Sequence, residues 1–187
     1  MKRILTSLAA AGLLALAVAP AHAADGMINF TGKLVDATCD IQVNGGSELG
    51  TVTLPTVSTS DLTGEAGKIT AGDTSFKVDL SNCQGGKTKV IVYFEAGVPS
   101  VNTNNGRLYN TVLAAGSGGT GATNVELELL DSTHNPIFAG SDTQYNGAFA
   151  DITDGAATLQ YYVRYYATGV TTAGDVASIV PFSLDYQ

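Results

Sequence analysis

Residues Gly26-Met27-Ile28-Asn29-Phe30-Thr31-Gly32-Lys33-Leu34 alternate strictly in character. Gly26, Ile28, Phe30, Gly32 and Leu34 share one face, and Met27, Asn29, Thr31 and Lys33 share the other. A period of two with β-branched and aromatic residues predicts a β-strand. Two glycines on the apolar face are out of place in an ordinary core strand. Glycine weakens a strand and packs nothing, and inside one it marks a place where another backbone comes close. The stretch therefore reads as a strand made to complete something other than its own domain.

Upstream of it the chain opens Met1-Lys2-Arg3, followed by an apolar run from Ile4 to Val18 broken only by Thr6, Ser7 and Gly12, then Pro20 and Ala21-His22-Ala23. A basic start, a short apolar run and an Ala-x-Ala site predict a secretory signal peptide over residues 1–23. The run is too short and too rich in alanine to favour the alternative, a retained membrane anchor. Cleavage after Ala23 takes the nine basic residues to seven against 17 acidic ones, so the net charge moves from −8 to −10. That balance disfavours nucleic acid and anionic membrane surfaces as partners.

Cys39 and Cys83 are the two cysteines of the chain. An even count in an exported protein predicts a disulfide, here closing a loop of about 45 residues and stabilising by roughly 4 kcal/mol in the chain-entropy treatment. No Cys-x-x-Cys occurs, and His134 is the one histidine beyond residue 23, so a redox or metal site is disfavoured. No cofactor is expected.

The remainder shows short apolar alternations separated by Gly, Asn, Asp, Ser and Thr, a pattern of an all-β sandwich or barrel. Strands are predicted over Leu34–Val43, Leu49–Leu54 (stopped by Pro55), Phe76–Leu80, Lys89–Phe94, a short piece within Leu108–Leu113, Val125–Leu130, an edge piece at Pro136–Phe138 and Ala156–Ala167. A helical turn is predicted at Thr59–Leu62. The acids of Val125–Leu130, Glu126 and Glu128, are expected to face solvent. The glycine-rich pieces at Asn102–Gly106 and Gly116–Gly121 lack the lysine and following helix of a phosphate-binding loop and read as flexible loops.

The last strand is predicted over Val176–Gln187. Val180, Phe182, Leu184 and Tyr186 share one face, and Ile179, Pro181, Ser183 and Asp185 the other. Proline confines a strand to an edge, and a long apolar edge is an aggregation hazard unless something covers it.

At this point the chain resembles the subunits of type 1-like fimbriae assembled by the chaperone–usher route. The matching stretches are Phe30–Cys39, Phe76–Cys83, Val125–Asp131, Arg164-Tyr165-Tyr166-Ala167-Thr168-Gly169 and the C-terminus, with Tyr186 penultimate and Gly174 fourteenth from the end. The resemblance implies an incomplete immunoglobulin-like β-sandwich lacking its last strand, completed by a donor strand from a partner. It implies a donor-strand extension over residues 24–36 and a pilin domain over 37–187. Gly26, Ile28, Phe30, Gly32 and Leu34 would fill five successive pockets of a neighbouring subunit. Gly26 departs from the pattern, since many relatives carry a side chain there. Gly174, Val176, Val180, Phe182, Leu184, Tyr186 and Gln187 would form the acceptor groove and chaperone-binding strand, with the Gln187 carboxylate anchored on basic chaperone residues. The implied partners are a periplasmic chaperone, an outer-membrane usher and identical or related subunits, and the implied location is a fimbria on the bacterial surface, contributing to cell adhesion. The N-terminal donor strand argues against a tip adhesin and favours a rod subunit.

Two other readings are set beside this one. A secreted carbohydrate- or protein-binding module with a complete sandwich would use the tyrosines of Tyr161–Tyr166, chiefly Tyr162 and Tyr166, as its surface. An enzyme would need His134 as a base beside Ser132, but one turn supplies neither an orienting group nor an oxyanion site.

Overall fold

The computed structural model describes residues 38–62, 66–70 and 72–187. The signal peptide and the donor-strand residues Gly26, Ile28, Phe30, Gly32 and Leu34 lie outside the described residues. Eight strands are described: β1 (Asp40–Val43), β2 (Thr74–Ser81), β3 (Lys89–Phe94), β4 (Leu108–Tyr109), β5 (Val125–Leu130), β6 (Ala150–Asp151), β7 (Ala157–Ala167) and β8 (Phe182–Tyr186). They form a five-stranded sheet ordered β1-β2-β7-β5-β4 and a three-stranded sheet ordered β6-β3-β8, with every ladder antiparallel.

The alternation of apolar residues builds the sandwich. Phe76, Val78 and Leu80 of β2 and Leu159, Tyr161 and Val163 of β7 turn inward from the larger sheet. They meet Val90, Val92 and Phe94 of β3, all almost fully buried. Phe94 packs edge-on against Tyr161 with ring centroids 5.1 Å apart, and Phe76 lies over Tyr161 at 5.8 Å, so aromatic contacts tie the two sheets through their centre. The Cys39–Cys83 disulfide joins the residue before β1 to the residue two beyond β2, where register places Asp40 opposite Ser81.

Four expectations are corrected. Leu49–Leu54 forms no ladder: it alternates as a strand should, but among the described residues no backbone partner lies beside it. Only Leu108–Tyr109 of the predicted Leu108–Leu113 strand pairs, with Glu126 and Leu127 opposite. The last ladder begins at Phe182 rather than Val176. The glycine-rich pieces are packed in part, with open space around Gly116 and Gly118. Gly106 presses on the backbone of Phe138 and Ala139, and Gly119 and Gly121 sit against Val112 and Leu113 with no room for a side chain.

A fifth correction concerns charge. Glu126 and Glu128 leave β5 on the outer face of the larger sheet, yet they are only 5% and 4% exposed. The turn before β4 folds over them. Arg107 Nε donates to Glu128 at 2.9 Å, and the amides of Asn102 and Asn105 donate to Glu126 at 2.9 and 3.2 Å. From β7, Arg164 donates twice to Glu128, at 2.6 and 2.9 Å. Buried carboxylates require such partners, because losing water is costly unless charge and hydrogen bonds replace it.

A candidate binding groove along the β8 edge

A groove of about 850 Å³ opens between two stretches that belong to no ladder or only partly to one. One wall is Glu48–Leu54 and the other is Val176–Phe182. The floor is apolar and comes from both sheets, with Phe76, Val78, Leu127, Leu129 and Val163 on one side and Phe94 on the other. The first wall is held at its ends. Gly50 lies so close to Val43 that a Cβ would overlap that side chain, and Tyr165 donates its hydroxyl to the Pro55 carbonyl at 3.1 Å. Burial pushes the Tyr165 hydroxyl above its ordinary pKa.

The second wall has a direction. Lys89 and Gln187 exchange both backbone hydrogen bonds, and Glu95 N–H donates to Pro181 C=O at 2.9 Å. In an antiparallel ladder such bonded pairs alternate with unbonded ones. Asp185, Ser183 and Pro181 therefore turn their backbone groups to β3, and Phe182, Leu184 and Tyr186 turn theirs away. The alternation continues upstream: Ala177 bonds Thr111 and Asn110, and Ile179 C=O accepts from Ser100 Oγ at 2.6 Å. Val176, Ser178 and Val180 face the other way, and their backbone groups have no partner among the described residues. Along one edge six alternate residues thus present N–H and C=O groups that find no partner among the described residues, beside a trough of apolar side chains.

Val176, Val180 and Phe182 line the trough. Leu184 and Tyr186 are half-buried and pack on the same core, extending the edge past it. The Tyr186 hydroxyl reaches Cys39 Sγ at 3.5 Å, and burial raises its pKa. Gly174 does not line the groove. Its backbone is pressed against Thr120–Ala122, where a Cβ would come within 2.6 Å of the Thr120 carbonyl oxygen. Gln187 C=O accepts from the N–H groups of both Thr88 and Lys89, fastening the end of β8 to the start of β3.

Ser178 escaped the sequence reading. It is the one polar member of the series Val176, Ser178, Val180, Phe182, Leu184, Tyr186, and its buried hydroxyl has no partner among the described residues. That interruption of an apolar face was the available signal. The Glu48–Leu54 wall was also missed as part of a site, because its alternation was read as an ordinary ladder strand.

The alternative surfaces are occupied by the protein itself. The His134 ring stacks on Tyr162 with centroids 4.0 Å apart, and the Arg107 guanidinium lies 3.4 Å from the Tyr166 ring centre. Tyr161 is in the core. His134 Nδ1 bonds Asp73 at 2.6 Å rather than Ser132, so the turn carries no nucleophile–base pair.

Comparison with known proteins gives a consistent pattern. A family model described as "Fimbrial protein" matches residues 28–187. The chain is 43% identical over 180 residues to the major fimbrial subunit SMF-1 of Stenotrophomonas maltophilia (strain K279a), covering 94% of this chain and 100% of that protein. It is 38% identical over 183 residues to the F17 fimbrial protein of Escherichia coli, covering 94% and 96%. Among solved structures, a chain from a chaperone–usher pilus aligns with a TM-score of 0.58 at 25% identity, covering 88% of this chain and 96% of that one. The P pilus rod subunit PapA aligns with a TM-score of 0.57 at 23% identity, covering 80% and 99%, a likeness of fold.

Proposed function

The chain belongs to the fimbrial protein family, the structural subunits of extracellular fimbriae, and on that premise we propose that it polymerises head-to-tail by lending Gly26–Leu34 to the β8 groove of the next copy. The observation that carries this reading is the run of alternate backbone groups along the β8 edge, beside an apolar trough. Adding a strand to an open sheet edge is a general mode of recognition, and donor-strand complementation of pilins is a standing example of it.

Residue by residue, Ile28, Phe30 and Leu34 supply the buried side chains, each worth roughly 1.5–3 kcal/mol. In this reading Gly32 would match a position too shallow for a side chain, and Gly26 would leave the first position unfilled. The backbone ladder adds roughly 0.5–1.5 kcal/mol per hydrogen bond, offset in part by ordering the arm. Donor and acceptor are different surfaces, so repetition does not close and yields a filament. Before assembly, a periplasmic chaperone occupies the same edge and contacts the Gln187 end, and an outer-membrane usher exports the subunit. The role is that of a rod subunit.

The test is a denaturant titration of oxidised residues 37–187 with and without a peptide spanning residues 24–36. The reading expects a large rise in midpoint and much slower unfolding with the peptide, and no such gain from a peptide carrying Gly32→Leu. A trimmed domain that unfolds identically with and without peptide would show that the sandwich needs no foreign strand.

A further inference from the structure

The three-stranded sheet has a second edge, and its treatment is the opposite of the first. On the side of β3 away from β8, β6 pairs only with Lys89 and Val90. By the same alternation that frees the β8 edge, Val92 and Phe94 also turn their N–H and C=O groups to this side. A notch of about 430 Å³ opens there, with Val92, Phe138, Phe149 and Tyr161 among its lining residues. Left bare, this would be a second place for a strand to add.

Side chains close it instead. Gln144, 8% exposed, presents its amide edge-on to Phe94: the Phe94 N–H donates to Oε1 at 2.9 Å, and Nε2 donates to the Phe94 carbonyl at 3.1 Å. One side-chain amide thus reproduces the paired donor and acceptor of a peptide group on a neighbouring strand. The Gly140 N–H adds a second bond to the same carbonyl at 2.8 Å. Gln144 is held in place by the one-turn helix Asp142–Asn146, capped by the Ser141 side chain. Two residues before Phe94 on β3, the Val92 N–H donates to the hydroxyl of Tyr161, which reaches across from β7 at 3.4 Å. The Tyr161 ring is fixed between Phe76 and Phe94. The remaining stretch of edge, β6, is two residues long and carries the Lys89–Asp151 ion pair at 2.7 Å, and short charged edges resist strand addition.

We infer that Gln144 and Tyr161 determine where a strand is accepted, acting as side-chain plugs that seal the far edge of the β6-β3-β8 sheet so that a second copy's Gly26–Leu34 segment adds at β8 alone. The inference rests on the donor-strand reading above. A filament subunit needs one acceptor. Two acceptors on one sheet would let a growing chain branch or cross-link, and the plugs remove the second without spending a strand on it.

The experiment refolds the oxidised full chain in a large excess of the peptide spanning residues 24–36 and counts peptides bound per chain by native mass spectrometry. Gln144→Met keeps the volume and removes both hydrogen-bonding groups; Tyr161→Phe removes only the hydroxyl and keeps the ring packing. The inference expects the double variant to bind one more peptide per chain than the wild type, and Tyr161→Phe alone to show a partial gain should the double variant fail to fold. A count equal to that of the wild type in the folded variants overturns it. The wild-type count reports separately on the donor-strand reading: refolded wild type that binds no peptide argues against that reading, while the difference between variant and wild type still decides the role of the plugs.

Discussion

The Tyr186 hydroxyl lies 3.5 Å from the Sγ of Cys39, so the last strand of the smaller sheet rests on the disulfide at the end of the β1–β2 pair of the larger one. Replacing both Cys39 and Cys83 with serine should remove roughly 4 kcal/mol of stability through the unfolded chain's regained freedom. The contact adds a local effect. Amide hydrogen exchange in Phe182–Tyr186 should accelerate more than exchange in Val125–Leu130. Equal acceleration in both strands would mean that the bridge acts on the unfolded chain alone.

Gly174→Ala should destabilise the free subunit although no donor contact is involved. A Cβ there collides with the backbone of Thr120–Ala122, which can yield only by breaking the Asp175 N–H to Thr120 C=O and Ala122 N–H to Asp175 C=O bonds, 2.7 and 2.9 Å long. The expected loss is roughly 1–3 kcal/mol in a denaturant titration. An unchanged midpoint would show that this loop gives way freely.

Glu128→Ala should cost more than Glu126→Gln. Glu128 is the shared anion of Arg107 and Arg164, and its removal leaves two largely buried guanidinium groups without it, a loss of roughly 3 kcal/mol. Glu126 is met chiefly by the amides of Asn102 and Asn105, with Arg107 at 3.9 Å, so a neutral isostere retains part of its bonding. Equal losses in thermal unfolding would contradict this division.

Asp131 organises the turn before Pro136. Burial works to raise its pKa, but the Asn135 N–H, the Thr133 hydroxyl and N–H, and the Asn135 amide outweigh it and hold the carboxyl below its ordinary value. A depressed folded pKa means stability that is present above the unfolded value of about 4 and is lost as pH falls through the folded value. Asp131→Asn should therefore lower stability at neutral pH and flatten its decline in acid. A variant whose acid limb parallels the wild type would show that Asp131 is not among the groups responsible.

Much of the sandwich was legible because alternation reports which way a side chain points. The cores of β2, β3, β5 and β7 were readable from Phe76, Val90, Leu127 and Leu159 and their neighbours at intervals of two. What alternation does not report is whether another segment covers the opposite face. Glu126 and Glu128 do point away from the core, as read, and are buried because Asn102–Arg107 folds over them, a contact between distant parts of the chain. Leu49–Leu54 has the period of a strand but finds no ladder neighbour among the described residues. Gly174 was assigned to the groove by resemblance, whereas its position follows from a backbone approach some fifty residues away in sequence. The apolar face of Val180, Phe182, Leu184 and Tyr186, with Pro181, made an edge legible, whereas a groove role for Val176, Val180 and Phe182 came only from the resemblance.

The two walls of the groove run alongside the path of any strand laid between them, and that geometry has a mechanical meaning. A pull along the inserted strand would load its backbone bonds in shear, all at once, rather than peel them open one after another. Rupture would then require the whole ladder to fail together, so a joint with no covalent link between subunits could carry tension far beyond what any single hydrogen bond withstands.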